Sequence, residues 1–332
     1  MSEELLAKCF NQPFEELEPF FDEAYQISRN NFSNLIHFYV PGMVHYDIPF
    51  YKASGIHGFP GISVTGRSCQ LNCEHCSGKL LESMIPATTP RELYDVCMDI
   101  KDKGGNGCLI SGGSLHDGTV PLIEFIPTIK RIKQELKLKV VMHTGLIYPD
   151  VAEELANAGI DAAMLDIIGS NETIRDVYHL DYETAPFEQS LSLLEHKNIP
   201  TVPHIVVGIH FGQIKGERQA VTMISRYHPA AIVVVALMPM DHTPMEQVMP
   251  PSPLEIARVV LAIRLLMPTT PLLLGCARPR GLHKIETDTL AIKAGVNGIA
   301  YPSEEVCNLV KEMGLNFAFH QQCCSLMWQV FS

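Results

Sequence analysis

The sequence predicts an α/β protein built as a full (β/α)8 barrel of TIM type, and three observations carry that expectation. Eight short apolar runs rich in Val and Ile recur between residues 61 and 302, amphipathic segments of helical period separate them, and the pattern fills about 240 residues, close to the ~250 typical of such barrels. Strands that alternate with helices in this way form a parallel sheet. A doubly wound open sheet is the alternative arrangement of the same elements.

The runs follow in order: "GISVTG" (61–66), "GCLISGG" (107–113), "KVVMHTG" (139–145), "AAMLDIIG" (162–169), "VPHIVVGI" (202–209), "AIVVVALMP" (231–239), "PLLLGCARP" (271–279) and "NGIAYP" (297–302). Between the first and second lies "TPRELYDVCMDIKDKG", a helix with Pro90 near its start and Gly104 past its end. Between the third and fourth lies "YPDVAEELANAG", with Asp150 as its expected cap. No Gly/Ser linker, low-complexity tract or charge block divides the chain. The organisation expected is a helical N-terminal extension (1–60), the barrel (61–305), and a C-terminal helix and tail over the barrel mouth (306–332).

The chain has 332 residues, 46% of them hydrophobic, enough for a large buried core. Its 25 basic against 37 acidic residues give a net charge of −12, which argues against nucleic acid or an anionic membrane surface as partner. No window reaches the ~18 apolar residues of a membrane span, and the acidic start "MSEELLAKCFNQPFEELEPF" has no apolar signal core, so a cytoplasmic location is expected. Ten cysteines are many for a chain kept in a reducing compartment, and they raise the weight of metal-binding or reactive roles. Extra iron-sulfur sites would suit an anaerobe.

Polar and glycine residues gather where the runs end: Cys69, Ser111 to Ser114, His143 and Thr144, Asp166, Gly208 and His210, Pro239, Cys276 and Arg278. In a barrel those ends share the face on which active sites are built. Within "GRSCQLNCEHCSG" (66–78), Cys69, Cys73 and Cys76 follow one another at spacings of four and three. Three thiols leave a four-ligand site one short. Zinc would need His75 or Cys97 as the fourth donor, and a ferredoxin-type cluster would need a matched fourth cysteine that the sequence lacks. A four-iron cluster held by three thiolates instead leaves one iron open to a small chelating ligand.

This C-x3-C-x2-C loop after the first barrel strand resembles the radical S-adenosylmethionine (radical SAM) superfamily. The resemblance implies a [4Fe-4S] cluster on Cys69, Cys73 and Cys76, whose open iron is chelated by S-adenosylmethionine, and one-electron cleavage to a 5'-deoxyadenosyl radical. It places His75 near the adenine, where an aromatic residue is usual. It assigns "SGGS" (Ser111, Gly112, Gly113, Ser114) to the methionine amine, Asp166 to the ribose hydroxyls and Gly208 of "IVVGIHFGQIKGE" to the adenine edge. Asp166 as a simple helix cap is the structural alternative.

A full barrel is the build of the biotin synthase group. "FYVPG", "HTGL", "PHIVVGIHFG" and "LGCARPRG" further resemble the family of second enzymes of archaeal-type two-component lipoyl synthases. That resemblance implies a radical SAM sulfurtransferase of lipoate biosynthesis, inserting sulfur at an unactivated carbon, with C8 favoured, of octanoyl-lysine on a lipoyl carrier protein or domain. It also implies a partner lipoyl synthase component, an electron donor such as ferredoxin or flavodoxin, and a second, auxiliary [4Fe-4S] cluster as sulfur donor. The ligands expected for that cluster are Cys276, Cys323, Cys324 and Cys9, with Arg278 as a cluster ligand or substrate-carboxylate binder. Cys97, Cys108 and Cys307 read as core residues, and His143, His204, His210 and His242 as cavity lining or scaffold. The alternatives are a radical enzyme of the same shape without sulfur insertion, such as a methyltransferase or mutase, and a non-enzymatic iron-sulfur electron carrier.

Overall fold

The computed structural model describes residues 2–42, 45–53, 55 and 57–331, so Met1 and Ser332, the outer ends of the two expected extensions, lie outside the described residues. Among the described residues thirteen strands occur in chain order: β1 (Leu35–Tyr39), β2 (Asp47–Ile48), β3 (Tyr51–Lys52), β4 (Gly61–Ser63), β5 (Ile85–Pro86), β6 (Gly107–Ser111), β7 (Lys139–His143), β8 (Ala162–Asp166), β9 (Thr201–Val207), β10 (Ile232–Ala236), β11 (Leu272–Leu274), β12 (Gly298–Ala300) and β13 (Asn316–His320). The eight expected runs are β4 and β6 to β12, adjacent in sequence order and parallel throughout.

The strands alternate between two packing layers. In β10, Ile232, Val234 and Ala236 pack outward into the large cluster under the helices, whereas Val233 and Val235 join an inner cluster with Val141, Ala162, Met164, Val202, Leu273 and Ala300. Both faces are covered, so the runs carry no polar face. The inner cluster draws on β7, β8, β9, β10, β11 and β12 together, so the sheet is curled around a packed lumen.

Hydrogen bonding does not close this curl into the expected ring. β12 pairs with β1 rather than with β4, β1 then pairs with β13, and β4 carries β5 on its other side, giving an open sheet of 11 strands. The physical reason is that "LIHFY" (35–39) supplies an extra buried strand, which takes up the edge of β12 that ring closure needs. The curled edges still approach each other, where Gln321 Nε2 donates to Gly55 O at 3.2 Å.

Both extensions differ from expectation for the same reason. Residues 1–60 hold two helices, Ser2–Asn11 and Glu18–Phe32, but then contribute β1 to the sheet. After helix Glu304–Glu312 and β13, the chain turns inward instead of lying over the mouth, and a 3-10 helix, Cys324–Val330, enters the lumen. Leu326 and Met327 are wholly buried in the inner cluster, and at the far end Lys139 Nζ donates to Gln329 Oε1 at 2.6 Å. Lys139 opens β7 and His143 ends it, so the tail runs from the strand C-termini towards their N-termini. Among the described residues no helix is long and apolar enough to cross a membrane.

Candidate active site

The three-cysteine loop follows β4 and is held from two sides. On one side the segment after β6 wraps it: Gln70 N donates to Ser114 O at 2.8 Å, Gly113 N to Thr65 Oγ1 at 2.7 Å and His116 N to Gln70 Oε1 at 3.0 Å. The contact is so close that a Cβ on Gly113 would lie 2.0 Å from Ser68 O and 2.6 Å from Cys69 Cα. On the other side, helix Asn171–Tyr178 ends in His179, a left-handed cap with φ 56°. His179 Nδ1 reaches Leu71 O and Nε2 reaches Glu74 Oε1, both at 3.0 Å, while Glu74 N donates to Val177 O. Sequence reasoning missed His179, because nothing local marks a residue about a hundred positions downstream as the loop's clamp.

The loop's thiols lean on one another. Cys76 is held below the ordinary thiol range by a hydrogen bond from Cys73 and then by His75, against the cost of burial, and Cys73 is pushed up as the partner that keeps the proton. Cys69 lies near enough for its charge to add to that rise, and its Sγ donates to Ser114 O at 3.9 Å. His75 stands 5.5 Å from the Tyr178 ring, and two buried polar atoms there, His75 Nδ1 and Tyr178 Oη, have no hydrogen-bond partner. Such atoms are costly to leave bare and mark a place where a polar ligand fits.

Strand alternation decides which residues face the lumen. Val141 and Met164 belong to the inner cluster, so His143 on β7 and Asp166 on β8, two positions on, face inward as well. His143 Nε2 lies 3.4 Å from Asp166 Oδ1. Burial works against both charges, but the mutual attraction outweighs it, so His143 is pushed up and Asp166 down. His204 on β9 sits 5.8 Å from the His143 ring and falls to about 4, first through burial and then through that neighbour. Asp166 heads a strand end and caps no helix; Ser170 caps the one that follows.

The inward turn of the tail brings Cys276, Cys323 and Cys324 to the same place. Ser325 Oγ donates to Met164 Sδ at 2.6 Å, and Met164 is the cross-strand partner of His143. Cys324 lies within the fields of Cys323 and Cys276, and Cys323 within that of His143. Cys323 is held below the ordinary thiol range by a hydrogen bond from Cys324, against burial, with Ser325 and His143 adding to it. Cys276 is exposed, Cys323 half-buried and Cys324 buried.

Two expected ligands are placed elsewhere. Cys9 packs in the outer layer, where helix Ser2–Asn11 lies on helix Pro253–Leu266 and Arg258 Nη1 donates to Cys9 O at 2.8 Å; burial raises this thiol to about 11. The amphipathic helix has its own apolar face to bury, which takes Cys9 away from the mouth. Arg278 is 2% exposed, donates from Nε and Nη2 to both oxygens of Asp288 at 2.6 and 2.8 Å, and from Nη1 to Gly275 O at 2.6 Å. Its guanidinium is committed to Asp288 on helix Leu282–Lys293, from where its charge still reaches Cys276. Gly208 has φ 72° at the end of β9, donates to Glu217 Oε1 at 2.7 Å and packs on Pro251. Cys97, Cys108 and Cys307 are buried in the outer layer.

Among the described residues no three His, Cys, Asp or Glu side chains converge as tightly as a single metal ion requires. A multi-iron cluster spreads its thiolates more widely than the ~2.3 Å bonds around one zinc ion. The donor chemistry therefore fits clusters better than a lone ion: soft thiols at two places on one face, one already lowered at each.

Comparison with known proteins agrees with this architecture. Residues 63–213 match the Radical SAM superfamily model and residues 234–320 the Biotin and Thiamin Synthesis associated domain. Biotin synthase of Synechococcus sp. strain CC9311 is 23% identical over 271 residues, covering 76% of this chain and 80% of that one. Biotin synthase of Saccharophagus degradans is 27% identical over 293 residues, covering 80% and 79%. The crystal structure of methylornithine synthase superposes with a TM-score of 0.64 at 15% identity, covering 97% of this chain and 94% of that one, a likeness of fold.

Proposed function

We propose, from the match of residues 63–213 to the Radical SAM superfamily model, of residues 234–320 to the Biotin and Thiamin Synthesis associated domain and from the biotin synthase relatives, that the chain is a radical SAM enzyme that inserts sulfur at an unactivated carbon of a protein-bound octanoyl-lysine chain, C8 favoured, as one component of a lipoyl synthase. The observation that carries the reading is the second thiol group: Cys323 and Cys324 lie at the lumen, and Cys276 is close enough for its charge to act with theirs, apart from Cys69, Cys73 and Cys76.

When bound, a reduced four-iron cluster and S-adenosylmethionine supply the 5'-deoxyadenosyl radical. The chain's own residues set where that chemistry happens. Cys69, Cys73 and Cys76 would hold the cluster, with Ser111 to Ser114 and His179 fixing the loop that carries them. Asp166, His75 and Gly208 are the residues we assign to the adenosyl group, and the unpartnered His75 Nδ1 and Tyr178 Oη would find partners there. Leu326 and Met327 fill the lumen below, so water and adventitious hydrogen donors are excluded from beneath and substrate enters from the mouth. That direction of entry suits a chain carried on the end of a protein lysine, delivered by a lipoyl carrier domain. The partner synthase component and a ferredoxin- or flavodoxin-type reductant belong to the same proposal.

The test is incubation of the anaerobically reconstituted chain with an octanoyl-lysine peptide, S-adenosylmethionine and reductant. A product heavier by one sulfur supports the reading. Deoxyadenosine without sulfur gain points to a radical enzyme that does not donate sulfur, and no deoxyadenosine points to an electron carrier.

A further inference from the structure

With Cys9 in the outer layer and Arg278 bound to Asp288, the thiol group at the mouth lacks a fourth donor. We propose that His143 is that donor, so that the second cluster is held by three thiolates and one imidazole nitrogen: Cys276, Cys323, Cys324 and His143. This rests on the reading above that the chain carries a second iron-sulfur cluster.

Three observations place His143 in the role. It ends β7 on the lumen face, and its register partner Met164 takes the hydrogen bond from Ser325, two residues after Cys323. Backbone pairing and the tail anchor therefore fix His143 and the vicinal cysteines on neighbouring positions of one surface. Second, Asp166 Oδ1 stands 3.4 Å from His143 Nε2, so a proton on Nε2 is held by the carboxylate and Nδ1 keeps its lone pair. Carboxylate, imidazole and metal in series is the usual arrangement for a ligating histidine, in which the outer carboxylate sets tautomer and ring orientation. Third, it is His143 that lies close enough to Cys323 for its charge to be felt there, whereas His204, whose Nδ1 lies 3.0 Å from Val202 O and whose Nε2 stays free, is the alternative donor that the variants below separate from it. In this assignment Asp166 is a positioning residue for His143.

A nitrogen ligand has a spectroscopic signature that an all-thiolate cluster lacks, and reading it needs no turnover. The protein to use is the full chain with Cys69, Cys73 and Cys76 all changed to Ala, reconstituted anaerobically with iron and sulfide and reduced with dithionite. Retention of about four irons per chain with a nitrogen hyperfine coupling in pulsed EPR is expected. That coupling is lost in His143→Ala and in His143→Cys, while His204→Ala keeps it. The cysteine variant guards against misfolding, because it offers a thiolate in place of the imidazole and keeps the iron. About four irons with no coupling, or with a coupling that survives both His143 changes, overturns the assignment and leaves the second cluster standing. Absence of iron overturns the second cluster and His143 with it.

Discussion

Replacing Gly113 with alanine tests whether the loop after β6 builds the site by packing against the cysteine loop. The added Cβ would lie 2.0 Å from Ser68 O, 2.6 Å from Cys69 Cα and 2.7 Å from Cys69 Cβ. The first separation falls about 1.4 Å short of the 3.4 Å at which ordinary contact begins, and two of these atoms are backbone, so rotamer change alone gives no relief. The cysteine loop must move by the order of an ångström, or the loop after β6 must, at a cost of about 1–3 kcal/mol for overpacking. A displacement of that size at a reacting centre typically costs about 10²-fold in rate. The assays are thermal melting, iron content and the rate of deoxyadenosine formation. The expected result is a modest loss of stability with a disproportionate loss of rate and of loop-bound iron. Gly112→Ala is the control, because the atoms nearest its Cβ would be side-chain atoms of Thr65 and Val64 at 3.1 Å, and an effect of about 1 kcal/mol or less is expected there. A Gly113→Ala protein that forms deoxyadenosine at the parental rate would refute the reasoning.

Acid sensitivity is expected from His37, whose ring burial, followed by His320 and Arg29, depresses it to about 4 from 6.5. Because the folded value lies below the unfolded one, its contribution is complete above about pH 6.5 and is lost as pH falls towards 4, up to about 3 kcal/mol. Urea titrations across that range on the parent and on His37→Gln would show it; equal slopes with pH in both proteins count against it. For Arg278→Met, removing one partner of a wholly buried ion pair should cost about 3–5 kcal/mol and leave iron content unchanged. Loss of about half the iron at unchanged stability would restore Arg278 as a cluster ligand. Adding Asp288→Leu to Arg278→Met should recover part of the stability, since the wholly buried pair is then replaced by two apolar side chains and Lys284, which lies 3.4 Å from Asp288 and is partly exposed, is the charge left to rehydrate.

What could be read from the chain was whatever is local. Period and apolar character marked all eight strands from β4 and β6 to β12, because each is buried on both faces. The spacing of Cys69, Cys73 and Cys76 lies within one loop and needs no fold to be seen. Closure of the ring was not legible, because it depends on a competition for the free edge of β12, which β1 wins from outside the repeat. The loop's clamp, His179, was equally hidden, since its partners Leu71 and Glu74 are brought to it by the packing of a helix that follows β8.

The cysteines show the same division. Sequence alone determined that three thiols are bound to act together, since three and four residues of chain cannot carry them apart. It also identified Cys276, Cys323 and Cys324 as candidates without saying how they meet. Only the tertiary structure decided that they do: the tail after β13 turns into the lumen and anchors on Met164. The same structure sent Cys9 to a helix interface and Arg278 to Asp288, where an amphipathic face and a buried carboxylate each had a stronger claim. A residue's chemistry is fixed by its type, but its partners are fixed by which surface the fold needs to bury.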